Sequence, residues 1–246
     1  MGKVLSVNTD AKTKKGSDKV LTGILFLAPA DLSGYQVCPK ASKGCIKGCL
    51  NTAGMGVYSN VQQARINKTR RFFEDRDSFM ADIVYDIKAL IRKGKRVNLP
   101  IAIRLNGTSD IPWEKIAVTV DGQRYRNLMV AFPNVQFYDY TKIAGRKAAL
   151  RLPNYHLTFS LSEDNDSEAV KALDQGYNLA VVLRVKRKDI KPSKWSGYPV
   201  VDGDVDDIRF HDPKGGVVVA LTAKGKARYD DTGFVRNLDD NLIAKG

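Results

Sequence analysis

The 246-residue chain is sparing with the residues that most often carry chemistry: it has three Cys, two His and two Trp. Three is an odd number, and all three Cys fall between Cys38 and Cys49. That excludes the even, dispersed pattern of a secreted disulfide framework. Long apolar runs are also missing. Nothing approaches the roughly 18 apolar residues in succession that a transmembrane helix needs, so no membrane partner is expected. The first 19 residues hold five Lys and no apolar stretch, so no signal peptide is expected there. Together these absences predict a cytoplasmic protein in a reducing compartment, where clustered Cys more often mean metal or chemistry.

What is abundant is positive charge. Lys and Arg number 40 against 27 Asp and Glu, a formal net charge of +13. Such a surface attracts polyanions in a salt-dependent way. Hydrophobic content is 43%, which excludes a disordered chain.

Residues 1–20 read as a polar, loosely ordered lead, and residues 21–246 as one β/α domain. Leu21–Ala28 is a short apolar run that suits a strand buried on both faces. Residues 29–58 are rich in Gly, Ser, Pro and Asn and form a long loop carrying the cysteines. Ser59 opens a helix to about Phe73. Phe79, Ile83, Ile87, Leu90 and Ile91 repeat at helical spacing, with Ser78 as cap and Gly94 as the stop. Strands follow over 97–105, 135–140, 155–161, 178–185 and 217–221. Helices are expected after Asp110 and over 141–150 and 166–175. Strands alternating with helices predict a parallel sheet with outer helices, closed as a β/α barrel or partial barrel. In such folds ligands sit at the carboxyl ends of the strands. The cysteine loop would lie there with the loops at 106–110, 140–142 and 160–165.

The spacing Cys38-x6-Cys45-x3-Cys49 brings three thiolates within twelve residues. A structural zinc site wants four ligands, and His211 is the only fourth donor worth naming. A [4Fe–4S] cluster normally takes four Cys. Three would leave one iron open to a substrate or cofactor. Lys40, Lys43 and Lys47 between the thiols do not suit buried core cysteines, although plain structural thiols are the other reading.

The remaining polar groups have two readings each. Asn106, Thr108, Ser109 and Asp110 either bind polar ligand groups or merely turn the chain and cap a helix. Ser160 and Ser162 either contact a ligand or belong to the loop before the next helix. Asp139 is either solvent-facing or in a site, because a buried acid is costly unless paired. Lys142 is a phosphate or carboxylate contact, or a surface ion pair. His156 is either a core histidine or a functional one. Arg65, Lys68, Arg70 and Arg71 on one helix, with Lys93, Lys95 and Arg96 at the end of the next, are candidate nucleic-acid contacts. Trp195 and Tyr58 could stack bases if exposed.

The three cysteines after the first β/α strand resemble the radical S-adenosylmethionine superfamily. That resemblance implies an open iron binding the amino and carboxylate groups of S-adenosylmethionine. The usual spacing there is C-x3-C-x2-C, from which this chain departs, and Gly48 replaces the aromatic residue that usually precedes the third Cys. The strings CPKASKGCIKGC, NGTSDIPWE, FYDYTK, YHLTFSLSEDN, VVDGDVDD and VVVALTAKGKA resemble the bacteriophage gene-product-88 family, over roughly residues 20–235. This implies a protein of the phage-infected host cell. The expected function is that of a radical-S-adenosylmethionine-like enzyme acting on a nucleotide, nucleic acid or other anion. A non-catalytic basic nucleic-acid-binding protein, with zinc or free thiols in the loop, is the alternative.

Overall fold

The computed structural model describes residues 3–8, 16–186 and 188–242. Lys12, Lys14 and Lys15 of the polar lead, and Arg187 of the basic run, lie outside the described residues. The strands are β1 (Leu5–Val7), β2 (Leu21–Leu25), β3 (Ile101–Arg104), β4 (Val118–Val120), β5 (Gln123–Tyr125), β6 (Gln136–Thr141), β7 (Tyr155–Ser160), β8 (Asn178–Leu183), β9 (Lys194–Trp195), β10 (Tyr198–Asp202) and β11 (Val218–Thr222). All but β4 and β5 join one sheet in the order β1-β2-β3-β6-β7-β8-β11-β10-β9. Strands β2 through β11, and β10 beside it, pair in parallel. From β2 to β11 the spatial order follows the chain order, as in a singly wound β/α succession.

Among the described residues no pairing joins the two edges, so the sheet is open and the expected closed barrel does not form. Each edge ends in a short antiparallel strand, β1 on β2 and β9 on β10. The face that a closed barrel would line is instead covered by residues 203–212. Ile208 packs there on Val20, Ala102 and Tyr138. Asp207 accepts from Arg104 Nη1 at 2.7 Å and from Tyr138 Oη at 3.3 Å.

Among the described residues the α-helices are α1 (Lys43–Lys47), α2 (Ser59–Glu74), α3 (Arg76–Val97), α4 (Leu128–Ala131), α5 (Lys147–Leu150) and α6 (Asp166–Asp174). The main core lies between the helices and the other sheet face. Phe79, Ile83, Ile87 and Leu90 of α3 meet Ile103, Phe137, Leu157 and Leu179 in it. Strand alternation sends Ala102, Arg104, Tyr138, Tyr140, His156, Thr158 and Ser160 to the opposite face.

Several expected elements differ. Residues 1–20 are not merely a lead. Leu5–Val7 enters the sheet, and the Val4 and Leu5 N–H groups both donate to Asp86 at 2.8 Å. Helix α3 passes Gly94 and ends at Asn98, which takes a left-handed conformation with φ 52°. Gly94 serves close approach instead: a Cβ there would lie 2.6 Å from Ile101 Cγ2. No helix follows Asp110. A 3-10 turn at Trp113–Lys115 leads into the β4–β5 hairpin.

Candidate functional site

The cysteine loop leaves the carboxyl end of β2, as the sequence predicts. Two neighbouring loops fasten it. The turn after β3 ties to its first half: Gly107 N donates to Leu25 O at 2.9 Å, Asp110 N to Val37 O at 2.8 Å, and Thr108 Oγ1 to Leu27 O at 2.5 Å. Cys38 Sγ donates to Thr108 O at 3.7 Å and accepts from Ala30 N at 3.4 Å.

The loop after β7 fastens the second half. Glu163 accepts from Ser42 Oγ and from Gly44 N, both at 2.6 Å, while Ser42 Oγ caps Cys45 N. The chain's last described segment closes over the result. Phe234 and Ala227 form a small core against which Cys45 packs. Lys47 Nζ reaches Asp231 Oδ1 at 2.7 Å. The glycines between the thiols allow this approach. A Cβ on Gly44 would sit 2.1 Å from Thr232 Oγ1, and one on Gly48 3.1 Å from Ala227 Cβ.

The three thiols are partly buried and unpaired by disulfides. They lie within electrostatic reach of one another. Burial pushes the Cys38 thiol up to about 12, and Cys49 and Cys45 add to the rise. Burial likewise raises the Cys49 thiol, against the Asn51 N–H and the positive charges of Arg65 and Lys142. Among the described residues no three His, Cys, Asp or Glu side chains converge as ligands of a single ion. A fourth ligand from His211 is not brought to the thiols. His211 sits in the 203–212 segment, its ring 4.6 Å from that of Phe210.

Two cations flank Cys49. Arg65, on α2, is only 7% exposed. Its guanidinium donates to Asn51 Oδ1 and lies 4.8 Å from the Phe26 ring centroid. Asn51 N in turn donates to Cys49 Sγ at 3.5 Å. Lys142, just past β6, donates to Ser160 Oγ at 3.0 Å, with its ammonium 5.7 Å from the Phe234 ring centroid.

The residues expected to hold a cofactor divide between scaffold and site. Asn106 Oδ1 accepts from Ser109 Oγ, Ile111 N and Trp113 Nε1 at 2.9–3.0 Å, so this amide braces its own loop. Thr108 and Ser109 spend their hydroxyls on Leu27 O and Asn106. Asp110 accepts from Lys142 N at 2.8 Å, and burial raises its carboxyl. Ser162 is fully buried and bonds Asp164 Oδ1. Two of this group meet Lys142 beside the thiols: Ser160 accepts from its ammonium, and the Asp110 carboxylate interacts with its charge. His156 is partly buried, and burial lowers its imidazole to about 4.

The proposed nucleic-acid contacts do not form one surface. Arg65 faces inward. Lys68 is half-buried, which lowers its ammonium to about 8, and Arg71 pairs with Asp82 at 2.7 Å. Arg70 is exposed on α2 and donates to Ser33 O at 3.1 Å. Lys93, Lys95 and Arg96 are exposed at the far end of α3. A helix rises ~1.5 Å per residue, so they sit roughly 30 Å from the start of α3. Trp195 is buried, with Nε1 on Asn237 O, and is not free to stack. A cavity of about 620 Å³ opens beside Lys95, Leu99, Ile101 and Val135, at the amino ends of β3 and β6 and away from the cysteines.

A family model described as gene product 88 matches residues 3–238. The chain belongs to the gene-product-88 family. The match runs from β1 to just past the segment that covers the cysteine loop, so thiols, clamp and cover all lie inside the family's shared region. No curated protein and no solved structure matches the chain. Among the described residues no helix is long and apolar enough to cross a membrane.

Proposed function

We propose that this gene-product-88 protein is a metal-cluster enzyme of the radical-S-adenosylmethionine type, with a [4Fe–4S] cluster held by Cys38, Cys45 and Cys49. The observation that carries this reading is one loop that holds three partly buried, disulfide-free thiols and is fastened to the loops at the carboxyl ends of β3 and β7. The donors match in type and number, three thiolates for a cubane with one open iron, while among the described residues they are not gathered as the ligands of one ion. The set also fits in charge, since three thiolates outweigh a doubly positive cluster and nearby cations offset the excess. When bound, the cluster and S-adenosylmethionine would supply one-electron cleavage of the sulfonium bond. The chain's own residues hold the loop through Glu163 and Thr108, exclude water with Phe234 and Phe26, and present positive charge to an anionic substrate. A net charge of +13 favours a nucleotide, nucleic acid or other anion as that substrate.

Protein purified without oxygen should be brown and carry about four iron and four sulfide per chain. Under reduction it should cleave S-adenosylmethionine. Absence of iron from the wild type overturns the reading, as do Cys→Ala variants that keep full iron content.

A second reading rests on the exposed cluster Lys93, Lys95 and Arg96. Here the protein is a non-catalytic nucleic-acid binder, and the thiols are a zinc clip or unligated. About one zinc per chain would favour it, together with nucleic-acid mobility shifts that weaken steeply as salt rises.

A further inference from the structure

The sheet face under residues 203–212 is polar where a covered face is ordinarily apolar. Tyr138 pairs there with His156 and Tyr140 with Thr158, and the Arg104 guanidinium lies 4.7 Å from the Tyr140 ring centroid. Three donors of this face meet one carboxylate. Asp207 Oδ2 accepts from Arg104 Nη1 at 2.7 Å and from Tyr138 Oη at 3.3 Å, and Oδ1 from Tyr140 Oη at 3.4 Å. Asp207 is the strongest charge partner of Arg104, ahead of Asp139, whose carboxylate is turned to Asn106 N and Tyr155. The donors belong to β3 and β6, while the acceptor belongs to a loop that holds its own turn. Ile208 N donates to Asp206 Oδ1, Arg209 N to Asp207 O, His211 N to Ile208 O and Asp212 N to Arg209 O. Arg209 pairs with Asp206 and Asp212 at 3.5 and 3.3 Å, so its charge balance travels with the turn. None of these bonds is broken when the turn leaves the sheet. The seam between the two is imperfectly matched. Arg209 is only 2% exposed, and among the described residues neither its Nε nor that of Arg104 has a hydrogen-bond partner. Buried N–H groups left so are costly, which lowers the cost of lifting the turn.

We propose that Arg104, Tyr138 and Tyr140 form an oxyanion-binding site on the sheet face, in which the Asp207 carboxylate is a resident occupant that gives way to a phosphate or carboxylate group of a ligand. A guanidinium and two phenolic hydroxyls are donors suited to either group. Ile208 and Phe210, packed on Tyr138, reseat the turn when the ligand leaves. Thr158 and Ser160 continue the same face toward the carboxyl end of β7, next to the loop whose Glu163 clamps the cysteine segment. The site stands on this geometry alone and needs no metal cluster.

The test is trypsin digestion of the full-length wild type at constant ionic strength, with the cut after Arg209 followed by mass spectrometry. Arg209 is buried, so cleavage there reports the turn lifting off the sheet. Replacing chloride by inorganic phosphate or by acetate should speed that cut several-fold. The cut after Arg124, exposed in the β4–β5 hairpin, should keep its rate. Acceleration by phosphate alone assigns a phosphorylated ligand, and equal acceleration by acetate a carboxylate. Asp207→Asn removes the internal competitor. It should bind the same anion about tenfold more tightly than the wild type, as for a site open in about a tenth of wild-type molecules. Adding Arg104→Gln should abolish that gain. A wild-type cut at Arg209 that neither anion speeds overturns the proposal, because a fixed structural ion pair is indifferent to both. Asp207→Asn protein that binds anions no more tightly than the wild type overturns it too. The wild-type digest needs no variant, so it decides even where Asp207→Asn fails to fold. Iron content does not enter either measurement, so the cluster reading stands or falls separately.

Discussion

Glu163 Oε1 accepts the backbone N–H of Gly44 at 2.6 Å across 119 residues of chain. The same carboxylate takes the Ser42 hydroxyl on its other oxygen. One side chain from the loop after β7 therefore sets the first turn of α1, which carries Cys45. Glu163→Gln keeps the shape but loses the charge, and should cost about 1–2 kcal/mol. Thermal melting and limited proteolysis of the 38–49 segment would read it. Unchanged melting and digestion would show that the clamp does not hold the loop.

Gly44→Ala should be more damaging than a glycine-to-alanine change in an ordinary short helix. Alanine favours helix, yet its methyl would meet Thr232 Oγ1 and Phe234 Cβ. Overpacking of this kind costs about 1–3 kcal/mol, here by lifting the 223–236 segment from the loop. Faster amide exchange confined to that segment and α1 is the expected signature. Exchange as slow as in the wild type would mean that the segment moves aside freely.

Asn106→Ala should destabilise by roughly 3 kcal/mol, because the buried Ile111 N–H and Trp113 indole N–H lose their acceptor together. Asn106→Asp keeps an acceptor and should recover part of the loss. Urea unfolding separates the two. A stable Asn106→Ala protein with impaired ligand binding would instead return this residue to the ligand.

Asp139 gives stability a pH dependence. Burial pushes its carboxyl up to about 7, against the Asn106 N–H and Arg104. The unfolded value is about 3.9. Between those values the folded chain keeps a proton that the unfolded chain has lost. The contribution is therefore full below about pH 4 and is lost as the pH rises through about 7. Asp139→Asn removes it. The stability of wild type minus variant should fall by at most about 4 kcal/mol across that window. His156 works in the opposite sense, since its lowered imidazole loses stability as the pH falls. That term cancels in the difference between the two proteins. A difference that stays flat with pH would rule out the buried, raised carboxyl.

Much of the sheet was legible because β2, β3, β8 and β11 are mostly apolar runs, while β6 and β7 are rich in aromatic and β-branched residues, all bounded by turn residues. The edge strands were not, since β1, β9 and β10 are short and mixed in polarity. The β4–β5 hairpin carried a readable signal in Asp121-Gly122, both at positive φ. It was outweighed by the helix expected after Asp110. The helix expected over 141–150 shrinks to Lys147–Leu150, as Thr141 Oγ1 takes the Ile143 N–H and Gly145 turns left-handed. At the site, the cysteine loop stood out in sequence as a loop. Arg65 was read as an outward nucleic-acid contact because α2 is polar along most of its length, whereas Asn51 and Phe26 hold that side chain inward. Glu163 was visible only as one polar residue among several, since its partners lie 119 and 121 residues away.

The cover over the cysteine loop comes from the other end of the polypeptide. Lys47 and its partner Asp231 are 184 residues apart. At ~5–20 residues per second of synthesis, the loop stays without its cover for about 10–40 s after it is made. During that interval its thiols are open to oxidants, to metals and to one another. Whatever fills the loop meets it most open before the last segment arrives, since the finished fold leaves the three thiols only partly exposed.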